Sequence, residues 1–127
     1  MTLASAASFA AAGALALSGN ATKVTLTAAG HSPKINTHWP YTVTATSGGK
    51  PAVARISVAI VDPIGGVHPV QFGASKKYVT NWPFKGRFHD YLIWPANSAV
   101  GLALVVRATV KIGKSTKVVS YTVTPRK

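Results

Sequence analysis

Residues 41–61 read YTVTATSGGKPAVARISVAIV. Up to Ser47 apolar and polar residues alternate strictly. Tyr41, Val43 and Ala45 share one face; Thr42, Thr44 and Thr46 share the other. A period of two marks a β-strand with one buried face. Gly48-Gly49-Lys50-Pro51 then supplies turn chemistry. Alternation resumes from Ala54 to Val61, with Ile56, Val58 and Ile60 opposed to Arg55, Ser57 and Ala59. The stretch predicts two strands, about Pro40–Ser47 and Ala54–Val61, each packed by one face.

The same pattern extends outward in both directions. Upstream, Lys23–Ala28 puts Val24, Leu26 and Ala28 on one face, and a turn follows at Gly30–Lys34. Downstream, Gly101–Ile112 aligns Leu102, Leu104, Val106, Ala108 and Val110. Gly113-Lys114 makes a turn, and Thr116–Thr124 returns with Val119, Tyr121 and Val123 inward. The middle is less regular. Val67–Phe72 reads as an edge strand, because Pro69 has no N–H for a central ladder. Ser75–Thr80 reads as another short strand. Phe84–Trp94 reads as one long strand, with Phe84, Phe88, Leu92 and Trp94 facing in. Alternation places Asp90 on that apolar face, so it needs a bulge or a backbone partner. About seven or eight strands at roughly ten-residue spacing predict an all-β, two-sheet sandwich of immunoglobulin-like type over residues 22–127. A closed barrel competes with it.

Tyr41–Val58, an alternating strand, a Gly-Gly-Lys-Pro turn and a second alternating strand, resembles the central hairpin of bacterial immunoglobulin-like and fibronectin-like domains. The C-terminal hairpin is similar to their closing strands. The resemblance covers about two-thirds of the domain, and residues 62–95 depart from it. The Cys…Trp…Cys arrangement of antibody-type domains is missing. The resemblance implies a spacer, adhesion or accessory module of exported surface proteins, the actinobacterial type included. Fold alone does not fix function.

Composition narrows the classes. The 127 residues carry 14 Lys+Arg against 2 Asp+Glu, a net charge of +12, and no cysteine. The charge predicts attraction to polyanions. Lack of cysteine excludes disulfides, thiolate metal sites and cysteine nucleophiles. Residues 1–21, MTLASAASFAAAGALALSGNA, carry no charge. The apolar run Phe9–Leu17 has the length of a signal-peptide core, and Gly19-Asn20-Ala21 offers small residues for cleavage. It is too short to span a bilayer. No basic residue precedes the run. The segment predicts export and its own removal, and every Lys and Arg lies after it.

Little is available for chemistry. Asp62 and Asp90 are the only carboxylates, and Asp62 precedes Pro63 at a turn, where Asp is expected for backbone reasons. His31, His38, His68 and His89 have no metal-ligand spacing. No Gly-x-Ser-x-Gly elbow or phosphate-binding loop occurs. No catalytic residue, metal site or cofactor is expected. Every tryptophan precedes a proline: Trp39-Pro40, Trp82-Pro83 and Trp94-Pro95. Such pairs favour extended strand ends. Their rings either close the ends of the core or form an aromatic platform. In the second case Trp39, Trp82, Trp94, Lys85, Arg87 and His89 are the candidate ligand-binding residues. The expected function is a non-catalytic secreted or cell-surface structural or interaction module. The alternative is a polyanion or glycan binder using the Trp/Lys/Arg-rich middle. Expected partners are a protein or an anionic cell-surface polymer, and export argues against nucleic acid.

Overall fold

The computed structural model describes residues 21–94 and 99–127. The signal-like segment, apart from Ala21, therefore lies outside the described residues, as does Pro95. Nine strands and no α-helix occur among the described residues. They are β1 (Thr22–Ala28), β2 (His38–Ser47), β3 (Lys50–Pro51), β4 (Val53–Val61), β5 (Val67–Pro69), β6 (Trp82–Lys85), β7 (Arg87–Ile93), β8 (Leu104–Ile112) and β9 (Ser115–Val123).

All pairings between these strands are antiparallel. In the four-stranded sheet β1 lies on one edge of β2, while β7 and then β3 follow the other edge. In the five-stranded sheet the order is β9-β8-β4, with β6 and then β5 along the far edge of β4. Register places apolar residues opposite one another: Val43 faces Leu26 and Phe88, and Ile56 faces Val110. The inner faces meet as a two-sheet sandwich. Tyr41, Val43, Ala45, Phe88 and Leu92 come from one sheet; Ala54, Ile56, Val58, Val106, Ala108 and Val110 come from the other, and all are buried. Each large aliphatic side chain buried there contributes about 1.5–3 kcal/mol.

The chain passes between the sheets twice at one corner. Ala52 carries it from β3 into β4, and Gly86 carries it from β6 into β7. Three backbone bonds lock the corner: Ala45 N–H to Gly86 O (2.9 Å), Gly86 N–H to Ala52 O (2.9 Å) and Ala52 N–H to Ala45 O (3.1 Å). Gly86 has φ +75°, and a Cβ there would lie 2.8 Å from Pro51 Cβ. Only glycine meets both conditions without strain. A second tie joins the opposite edges at the far end. Residues 124–126 run beside residues 31–35, with Thr124 N–H donating to His31 O (2.7 Å) and Ile35 N–H to Arg126 O (2.9 Å).

Four expectations are corrected. The long strand Phe84–Trp94 is two strands in two sheets, divided at Gly86. Ser75–Thr80 is not a strand; a single bridge, Gln71 to Tyr78, and a Phe72 N–H to Lys77 O bond (2.9 Å) close a turn there. The edge strand ends at Pro69 rather than Phe72. β8 begins at Leu104, and Leu102 is exposed beyond the turn at Gly101 (φ +81°).

Candidate functional site

The three tryptophans separate. Trp39 and Trp94 are each 3% exposed, with ring centroids 5.7 Å apart and Trp39 also against Tyr41 and Tyr121. They close the core and present no ring face to a ligand. Trp39 Nε1–H donates to Gly30 O at 2.8 Å. Only Trp82 reaches the surface, 37% exposed, with its ring edge-on to Phe72 at 4.8 Å. In register it lies opposite buried Ile56, so its ring leans toward the core edge. Of the two arrangements open to the Trp-Pro pairs, Trp39 and Trp94 take the one that closes the core, and the three rings do not come together as a platform.

Lys85, Arg87 and His89 are all exposed. Lys85 lies opposite Val53 on the outer face of the five-stranded sheet. Arg87, past the corner, lies opposite Thr44 on the outer face of the four-stranded sheet. His89 lies opposite Thr42, with Nδ1 2.8 Å from the Thr42 hydroxyl. The threonines of that face are paired across strands, Thr25 with Thr44 and Thr27 with Thr42.

Extending these positions along the register exposes a larger arrangement. The end of the sandwich that holds the corner also holds the turns at Gly48-Gly49 and Gly113-Lys114. Lys23, Lys50 and Arg87 lie there on one sheet; Arg55, Lys85, Lys111, Lys114 and Lys117 lie there on the other. Arg55 and Lys111 are direct cross-strand partners. All eight are exposed. Two shallow concavities flank the corner. One, of about 340 Å³, is lined by Val53, Arg55, Pro83 and Lys111; the other, of about 400 Å³, by Thr44, Thr46, Lys85 and Arg87. Arg55 is steadied by Nη1–H donation to Asn81 O at 3.0 Å.

Neither carboxylate is at this end. Asp62 follows β4 at the far end, where Oδ1 accepts the N–H groups of Ile64 (3.0 Å) and Gly66 (2.8 Å) and Oδ2 lies 2.8 Å from His68 Nε2. The His68 contact, then the backbone donors, lower its pKa below the usual carboxylate value. Asp90 is on the inner face of β7, as alternation required. It accepts Tyr41 Oη–H (3.2 Å) and Gly73 N–H (3.1 Å). Burial first, and the Asp90 charge second, raise the Tyr41 phenol far above its ordinary value. Among the described residues the single ion-pair contact is His68 with Asp62, so no Lys or Arg there has a carboxylate partner.

Sequence reasoning named Lys85 and Arg87 but missed the other six cations of the corner end. Their assembly depends on strand order, which brings residues 23, 50, 85 and 114 to one end. It also missed an apolar groove of about 470 Å³ between β5 and the end of β7, lined by Ile60, Pro69, Phe72, Leu92 and Trp94. No group of three or more His, Cys, Asp or Glu placed to hold a metal occurs among the described residues. No helix among them is long and apolar enough to cross a membrane.

No protein-family model matches the chain. No curated protein matches it either. Among solved structures it is similar to a domain of the outer membrane lipoprotein Omp28 from Porphyromonas gingivalis, with a TM-score of 0.43 and 13% identity over 84% of this chain and 98% of that one. A likeness so distant carries no functional argument.

Proposed function

We propose that the chain is a non-catalytic, exported immunoglobulin-like module that engages an anionic cell-surface partner through its corner end. The observation that carries this reading is the set of eight exposed Lys and Arg side chains at one end, with no carboxylate among them. Exposed cations without counter-ions attract polyanions, and the attraction is salt-dependent. The apolar, uncharged residues 1–21 support export. The strand orders β1-β2-β7 and β9-β8-β4-β5 support the immunoglobulin-like assignment, since they follow the division of strands in that fold. The non-catalytic reading rests on the two carboxylates. Asp62 caps its own turn and Asp90 holds Tyr41 and Gly73, so they do not face each other across a site.

Retention on insoluble cell-wall material tests the proposal. The protein is retained at low salt and released as salt rises. Lys85→Ala together with Arg87→Ala lowers retention, while Trp82→Ala leaves it unchanged. Retention that ignores the Lys85/Arg87 pair contradicts the reading. Loss on Trp82→Ala alone would point to stacking on sugar rings instead.

A further inference from the structure

We infer that the corner end docks on the headgroup plane of an anionic lipid bilayer. This rests on the reading that the corner end is the anion-binding surface, and it names the partner.

The first observation is where the chain enters the fold. β1 begins at Thr22 opposite Ser47, and Gly48 N–H donates to Ala21 O at 3.0 Å. The twenty residues ahead of Ala21, apolar and uncharged, therefore join the domain at the cationic end. Arg126, one residue from the C-terminus, is tied to Pro33 and Ile35 at the far end. While that segment is still attached, it tethers the domain to a bilayer from the corner end.

The second observation is the form of the cationic surface. It wraps the end of the sandwich. Lys23 and Arg87 are on one outer face, with Arg55, Lys85 and Lys111 on the other, while Lys50 and Lys114 are carried by the turns at Gly48-Gly49 and Gly113-Lys114. A projecting end with charge on both sides meets a plane of phosphates more completely than it cradles one linear polymer. The third observation is Val53, 72% exposed, paired with Lys85 and two residues from Arg55. An apolar side chain among cations suits a lipid interface, where it enters the headgroup layer while the cations meet the phosphates. Asp62 and Asp90 are toward the far end and oppose nothing there.

The test is co-sedimentation of the full chain with vesicles of phosphatidylcholine alone and of phosphatidylcholine with phosphatidylglycerol, at about 0.1 M salt. Two charge-matched triples are compared: Lys50→Glu/Lys85→Glu/Arg87→Glu at the corner and Lys34→Glu/Lys76→Glu/Lys77→Glu elsewhere. Binding that depends on phosphatidylglycerol is expected. It falls at least about tenfold in the corner triple and less than about threefold in the other, because neighbouring cations act within one Debye length of the surface. The neutral pair Lys50→Gln/Lys85→Gln gives a smaller fall in the same sense and serves if the triple unfolds. Equal loss in both triples overturns the inference and the corner-end reading together. Lack of dependence on phosphatidylglycerol, with wall retention still sensitive to Lys85 and Arg87, overturns the lipid partner and leaves the proposed function standing.

Discussion

Asp62 holds the turn that follows β4 and is itself held by His68. Asp before Pro63 at the end of an alternating run predicts a turn. The turn is there, and the carboxylate caps it through the N–H groups of Ile64 and Gly66. Its partner His68 was not legible, because it depends on how β5 returns beside β4. The lowered pKa has a consequence for stability. A carboxyl depressed in the folded state stabilises fully above the unfolded carboxylate value, and the contribution is lost as pH falls through the depressed value. Asp62→Asn should therefore be less stable than the parent near neutral pH. The gap should close as pH drops below about 4. Urea unfolding at a series of pH values reads the gap; a gap that widens toward acid contradicts the assignment. Asp90 teaches the complementary lesson. Alternation put a carboxylate on an apolar face and thereby required a partner; Tyr41 and Gly73 supply it.

Elements were legible where one face alone is buried. β1, β2, β4, β8 and β9 follow their alternation, and their inner residues are the ones the pattern selects. Phe84–Trp94 alternates as well, yet it changes sheets midway. A period of two records which side is apolar and is silent about which neighbour lies alongside. The signal of the corner was Gly86, in an otherwise continuous run. Gly86→Ala should cost about 2–4 kcal/mol, from a left-handed backbone and overlap with Pro51. Gly113→Ala, with φ +58° but open space around the new Cβ, should cost about 1–2 kcal/mol. Chemical denaturation of the two variants compares them, and equal costs would mean that the corner is not tightly packed. The tryptophans were ambiguous for a related reason. A Trp-Pro pair marks a strand end and leaves open whether the ring turns inward. Trp39 and Trp94 turn in, and Trp82, on the short edge strand β6, does not fully do so.

At the scale of the molecule, composition announced the charge and topology organised it. A net charge of +12 is visible in the sequence; its concentration at one end is not, because Lys23, Lys50, Lys85 and Lys114 meet only after three crossings between sheets. Both carboxylates are engaged by their own neighbours, so the corner end keeps an unopposed positive field. Such a field governs association more than fold. On the proposed function this end is the working surface, and neither the Thr-rich face nor the groove beside β5 is. The most direct measurement is an amide chemical-shift titration of the isotope-labelled protein with a soluble anionic polymer at low salt. Perturbations should concentrate at Lys23, Gly48–Lys50, Val53–Arg55, Lys85–Arg87 and Lys111–Lys114. Perturbations centred on Val67–Phe72 and Tyr91–Trp94, or spread evenly over the basic residues, would contradict the proposed function.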